Sequence, residues 1–315
     1  MSEKKRLISF DILKLLALFA VFNSHFVAEY AMNFKENPSI GHLLNGFTGK
    51  FGVILFALLA GYFSYRSSKK SELGPYLLKR YLFFFSCCLI ADVSFYLLNV
   101  NGARENSSLG MVISQIVLLG DYYCDTFWFI RDFLIGSLFS FLIGKYHLKK
   151  SEILLIILAL FYMKQPFVAS YVAGCLLYEL QDHSFVKKPL VKILLLVYYL
   201  VFFLVYRKES NLVYFEDLTR ALSLSLLAKQ LDVRLNAKAG LVLEKLSSMS
   251  MALIIGHVLA FHICNVLLLS EKLNIVVLYF FWLLITFVSG ILFELAIRLV
   301  NKCLLALSGK IEALL

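Results

Sequence analysis

This sequence has little charge. Only 17% of its 315 residues are Asp, Glu, Lys or Arg, against about 25% in a soluble globular domain. Apolar residues make up 60% and aromatics 15%, and the mean hydropathy is +0.79. Such a chain cannot cover its hydrophobic surface with its own polar groups, which excludes a soluble domain and implies an integral membrane protein. Proline is scarce as well, at four residues, and there is no Ser/Pro-rich linker, heptad stretch, low-complexity tract or internal repeat. Nothing divides the chain, so residues 1–315 read as a single membrane domain. An inverted-repeat transporter would show Gly/Pro-broken helices placed symmetrically in its two halves, and that pattern is missing. The six cysteines, Cys87, Cys88, Cys124, Cys175, Cys264 and Cys303, form no CxxC pair and no Cys/His ligand spacing. They argue against a metal site and against a disulfide framework.

What charge there is has a sign, with 31 basic residues against 21 acidic ones for a net +10. In a membrane protein this excess marks cytoplasmic loops, so it calls for a bilayer as partner and no nucleic acid. Lys4, Lys5 and Arg6 precede an apolar run that resembles a signal peptide. Asp11 and Lys14 interrupt the run and no small-residue cleavage site closes it, so a retained first helix is expected.

At about 20 residues per crossing, this length allows roughly ten transmembrane helices. The apolar stretches fall at 8–28, 50–65, 81–99, 127–144, 152–163, 166–181, 190–206, 212–229, 247–269 and 275–298. The fifth and sixth are short, and the eighth carries Glu216, Asp217 and Arg220. Leu109 to Gly120 is apolar but too short to span, and reads as a surface-lying or re-entrant segment. With the N-terminus inside, 21 of the 31 Lys and Arg residues fall in inner segments and eight, counting Arg220 near the outer end of its stretch, in outer ones, with Lys14 and Arg131 inside spans. The expected architecture is therefore all-α: a polytopic transmembrane bundle of about ten helices with both termini cytoplasmic.

Ionisable groups inside hydrocarbon are costly and mark function by default. They are Asp11, Lys14, His25, Asp92, Arg131, Asp132, Glu179, His257, His262 and Glu294. Asp92, Glu179 and Glu294 read as structural partners or near-interface groups. In the first helix, Lys14 and His25 are eleven residues apart. Eleven steps of 100° return within about 20° of the start, and Asp11 falls about 40° from His25. All three point from one face, which must line a cavity or a helix contact. Along the axis Lys14 and His25 lie about 16 Å apart, so the stripe suits an extended molecule rather than a direct contact. The structural alternative for His25 is a buried ring satisfied by a backbone carbonyl.

The second helix is bracketed by Gly49, Gly52 and Gly61, which permit close backbone approach to a neighbouring helix or a ligand. Beyond it lies a basic patch of Arg66, Lys69, Lys70, Lys79 and Arg80, which marks a cytoplasmic loop and also suits a polyphosphate ligand. On the opposite side Trp128 and Arg131 are three residues apart and share a helix face at about the depth of His25.

The ordered blocks resemble the acyltransferase-3 family of membrane acyltransferases, which decorate bacterial surface polysaccharides. The blocks are Phe10-Asp11-Ile12-Leu13-Lys14, Val21-Phe22-Asn23-Ser24-His25, Gly52 to Tyr62, Lys79-Arg80, Phe127-Trp128-Phe129-Ile130, and Leu246 to His257. The resemblance runs over nearly the whole chain. The family usually has Arg where this chain has Lys14, so positive charge is kept while the bidentate fork is lost.

The resemblance implies transfer of an acyl group, most often acetyl from acetyl-coenzyme A, to a sugar hydroxyl. His25 is implied as general base on that hydroxyl. Lys14 and Arg131 would bind donor groups or stabilise oxyanion charge, with Asp11 paired to Lys14. Arg66, Lys69, Lys70, Lys79 and Arg80 would hold the coenzyme's phosphates, and Trp128 and His257 would contact substrate. No metal is implied. Localisation would be a bacterial plasma membrane. Capsule, exopolysaccharide, teichoic acid and lipid-linked oligosaccharide all suit as acceptors, and no feature sets the oligomeric state. The alternative from another class is a transporter or flippase of a sugar-containing or anionic substrate, with His25, Lys14 and Arg131 along its path. A third reading is a structural protein whose buried charges set packing.

Overall fold

The structure is a computed structural model that describes residues 8–30, 49–69, 71–103, 110, 113–114, 129–204, 213–230 and 235–312. Among these residues every regular element is helical. The helices are α1 (Ile8–Glu29), α2 (Gly49–Ser68), α3 (Leu73–Leu98), α4 (Phe129–Lys145), α5 (Lys150–Tyr162), α6 (Pro166–Leu180), α7 (Pro189–Leu204), α8 (Val213–Gln230), α9 (Ala237–Ser248), α10 (Ser250–Val266), α11 (Leu269–Lys272) and α12 (Ile275–Glu312), with a 3-10 turn at Val100–Gly102. Four helices, α1, α2, α3 and α12, are long and apolar enough to cross a membrane, or five if the bent pair α9 and α10 counts as one span. The chain is a helical membrane protein by these criteria. The apolar segment Leu109 to Gly120 and Trp128 lie largely or wholly outside the described residues.

Local chemistry explains where these helices begin and turn. Pro166 and Pro189 open α6 and α7, where the missing N–H costs nothing because the first helical amides have no partner. The Glu152 carboxylate reaches back to the Lys149 amide at the start of α5 (2.6 Å), which caps one of those amides. Between α5 and α6 the chain reverses at Lys164, whose φ is 58°. At 13 and 15 residues these two helices are shorter than a full crossing. The third helix starts earlier than the apolar pattern, at Leu73 rather than 81, and takes Lys79 and Arg80 into its first turns. Pro75 sits in its opening turn, where proline is tolerated.

The helices form two compact units. The first holds α1, α2, α4 from Ile135 onward, and α5 to α9. Its core contains Phe10, Leu13, Ile54, Leu58, Tyr62, Val172 and Leu177. Contacts fix the helix directions. Phe10 packs edge-on against Tyr62 (4.8 Å between ring centroids), and Gly52 lies against Ala17, Ala20 and Val21, so α1 and α2 are antiparallel. Lys50 lies over Tyr214 and Tyr65 against Tyr178, while Phe167 touches Tyr214, so α2, α6 and α8 run parallel. The α2–α6 crossing is a backbone contact. A Cβ at Gly61 would stand 1.8 Å from the Tyr171 carbonyl oxygen, and one at Gly174 would stand 2.2 Å from that of Leu58. Gly136 of α4 accepts the Tyr171 ring in the same way, and the Ser137 and Tyr171 hydroxyls meet at 2.8 Å.

The second unit holds α3, the first residues of α4, and α10 to α12. Here α10 and α12 meet at Gly256 and Gly290, where a Cβ on Gly256 would lie 2.7 Å from the Thr286 carbonyl oxygen. Small residues at such crossings let helices approach where no hydrophobic driving force separates them from lipid. With 38 residues, α12 is about 57 Å long, well beyond a hydrocarbon core of about 30 Å.

Candidate active site

The first unit arranges its polar side chains in order along α1 and α2. At one end, Tyr62 donates to Gln181 Oε1 (2.6 Å) and Tyr65 donates to Glu179 Oε1 (2.9 Å). Lys69 Nζ donates to the same Glu179 oxygen (2.8 Å) and lies over the Tyr65 and Tyr178 rings at 4.4 and 4.9 Å. Arg66 is half-buried on the same turn of α2. Of the patch expected to hold phosphates, Arg66 and Lys69 are therefore in this unit, and Glu179 already neutralises Lys69. Lys79 and Arg80 belong to the second unit, with the Arg80 guanidinium 5.6 Å from the Tyr76 ring. Lys70 lies outside the described residues.

Asp11, one helical turn into α1, is buried at 7% exposure and accepts a hydrogen bond from Ser247 Oγ of α9 (2.6 Å). Lys14 is half-buried, with its ammonium 4.4 Å from the Phe63 ring centroid, within cation–π range. His25 is exposed, three turns further on. The antiparallel register of α1 and α2 puts Asp11 and Lys14 beside Tyr62 and Phe63, and His25 beyond the Lys50 end of α2. The order is thus a basic end, then Lys14, then an accessible imidazole.

Ser247 was not anticipated as a partner, although it sits in the Leu246 to His257 block; its i−236 neighbour is invisible to local spacing. Removing its hydroxyl strips a donor from a buried carboxylate, which costs about 1–3 kcal/mol. Ser247→Ala is expected to lower the thermal midpoint in detergent, and Ser247→Thr to restore it. A midpoint unchanged by the alanine would show that Asp11 does not depend on α9.

In the second unit Arg131 is exposed near the start of α4, next to half-buried Asp132. Phe129 and Phe133 of the same helix meet at 5.1 Å between ring centroids, tilted by 57°. His257 is fully buried on α10, its Nδ1–H donating to the Ile254 carbonyl, with Phe261 and Trp282 edge-on at 5.9 and 6.4 Å. The carbonyl-satisfied ring that the sequence left open for His25 is thus the geometry of His257. Asp92 is 2% exposed on α3, and neither of its carboxyl oxygens has a hydrogen-bond partner among the described residues. No group of three or more His, Cys, Asp or Glu side chains among the described residues is placed to hold a metal ion.

A family model described as an acyltransferase domain, of the acyltransferase-3 type, matches residues 7–299. The chain belongs to the acyltransferase-3 family. No curated protein and no solved structure matches it. Family membership covers both helical units, and acyl transfer is the activity it supports.

A second set of polar residues in this acyltransferase escaped the sequence reading. The sequence shows Asp217 and Arg220 only as charges within the eighth apolar stretch. Both are buried, at 0% and 5% exposure, and Arg220 Nη1 donates to Asp217 Oδ1 (3.1 Å). The signal was their i, i+3 spacing, which places opposite charges on one helix face.

Proposed function

We propose that this protein is a membrane-bound O-acyltransferase that moves acetyl from acetyl-coenzyme A to a hydroxyl of a cell-surface polysaccharide or its lipid-linked precursor. The observation that carries the reading is the axial order in the first unit: Arg66 and Lys69 at one end, Lys14 within, His25 exposed towards the other. The coenzyme's phosphates suit the basic end, with Lys79 and Arg80 as further cationic candidates. Lys14 and Arg131 are the donor-binding or oxyanion candidates. The neutral imidazole of His25 takes the proton of the acceptor hydroxyl as its oxygen attacks the thioester carbonyl. The C–S bond breaks, the new C–O ester bond forms, and the imidazolium returns its proton to the departing thiolate. Trp128 and His257 are candidate substrate contacts, and Asp11, held by Ser247, orients the start of α1.

The cytoplasm supplies the coenzyme, so the Arg66 end of the unit is assigned to the cytoplasmic face of a bacterial plasma membrane, with about ten crossings and both termini inside. Membranes carrying the protein and acetyl-labelled coenzyme are expected to gain alkali-labile label in carbohydrate. Passage of a sugar-containing or anionic substrate without covalent change would instead favour a transporter.

A further inference from the structure

The end of the first unit nearest His25 carries a cluster that the donor-side reading does not use. Lys50 Nζ lies 5.8 Å from the Tyr214 ring centroid, and Phe167 meets that ring edge-on at 5.7 Å. Beneath them Arg220 stacks on Phe51 (4.8 Å) and holds Asp217. The exposure is graded: Lys50 is open, Tyr214 and Phe167 are half-buried, and Phe51, Asp217 and Arg220 are buried. The Asp217–Arg220 pair carries no net charge, which leaves Lys50 as the one further formal charge among these six residues. A single cation is little for a polyphosphate, whose sites gather several.

Half-exposed aromatic faces beside a few fixed polar groups describe a site for a neutral, amphipathic ligand. A pyranose is such a molecule, having C–H faces that stack on aromatic rings and equatorial hydroxyls that bind ammonium and phenol groups. The register places the cluster at the same end as His25. The N-terminal ends of α2, α6 and α8 meet here, and α1 runs antiparallel to α2, so its His25 end lies at this side. Lys69, at the opposite end, is 19 residues from Lys50, or about 28 Å along the helix.

We infer that Lys50, Phe167 and Tyr214, backed by Phe51, Asp217 and Arg220, form the sugar subsite for the acceptor, taking an uncharged pyranose ring at the same end of the unit as His25. The inference rests on the acyl-transfer reading for the word acceptor, while the pyranose site stands on its own geometry. Tyr214 is the stacking platform and Lys50 the accessible hydrogen-bond donor, while the buried Asp217–Arg220 pair fixes Phe51 behind them.

The test is saturation-transfer NMR on the full-length protein in lipid nanodiscs. The probes are methyl β-D-glucopyranoside, methyl β-D-galactopyranoside and methyl N-acetyl-β-D-glucosaminide, with sodium pyrophosphate as the anionic comparison. At least one pyranoside is expected to receive saturation on its ring C–H protons. That transfer should fall at least about fivefold in Tyr214→Leu, as for loss of an aromatic anchor, and persist in Tyr214→Phe. Lys50→Gln, at an exposed position, provides a second variant expected to weaken it without loss of fold. Absence of transfer to all three pyranosides, equal transfer in Tyr214→Leu, or displacement by pyrophosphate would each overturn the proposal. An acyl-transfer assay separates the two readings. If transfer occurs with an acceptor KM unchanged by Tyr214→Leu, the subsite falls and acyl transfer stands. If a pyranoside binds through Tyr214 but no acyl transfer is found, the subsite stands and the acyl-transfer reading falls.

Discussion

Gly61→Val is expected to abolish folded protein. Even the first carbon of any side chain there stands 1.8 Å from the Tyr171 carbonyl oxygen and 2.7 Å from its carbon. The opposing Gly174 is pinned in the same way, since a Cβ there would stand 2.2 Å from the Leu58 oxygen and 2.4 Å from the Tyr62 amide nitrogen. These are backbone atoms, which cannot rotate aside, so α2 and α6 must separate. Separation undoes the burial of Leu58, Tyr62 and Tyr171, all within 1% of full burial, and the Tyr62–Gln181 hydrogen bond. Overpacking costs about 1–3 kcal/mol where side chains can adjust, and more where they cannot. Total stability is only about 5–15 kcal/mol. Size-exclusion profiles of detergent-solubilised fluorescent fusions should show a sharp native peak and none for Gly61→Val. Gly240→Ala is the control, since nothing lies within 4 Å of its added carbon and alanine favours the helix. A sharp Gly61→Val peak with native thermal midpoint would contradict this packing.

His25→Ala is expected to lower acyl transfer by about 10²- to 10⁴-fold, the range for loss of a general base. The ring is exposed, so the variant should keep its thermal midpoint and separate chemistry from folding. The effect should fall on kcat, because the base acts on the reacting hydroxyl rather than on binding. Lys14→Met should act differently. Its ammonium lies over Phe63, eleven residues from His25, so the donor KM is expected to rise before kcat falls. Lys14→Arg keeps the charge and the ring contact and is expected to hold activity. A His25→Ala enzyme as fast as the native one would remove the imidazole from the mechanism and leave the family activity in place.

Helices were readable because apolar runs in this sequence are long and proline is rare. Each stretch chosen on hydropathy overlaps a helix, yet only four or five of those helices meet the length and composition of a crossing. The stripe of Asp11, Lys14 and His25 was legible because helical periodicity fixes which residues share a face. What each member touches was not, since Ser247 and Phe63 reach it from other helices. Gly61 was legible as a place of close approach but not its partner Tyr171. Hydropathy alone does not show how α8 buries its charges: Asp217 and Arg220 pair inside the bundle, whereas a residue-by-residue scale counts them as two separate charges. Similarly, Lys69 reads as free positive charge until Glu179, 110 residues away, is seen beside it.

The central claim is acyl transfer with His25 as base. Its most direct test follows label from acetyl-labelled acetyl-coenzyme A into surface carbohydrate, comparing membranes with the native protein and with His25→Ala at matched expression. The account expects time-dependent, alkali-labile label with the native protein and near-background label with the variant. Equal label from both would contradict it.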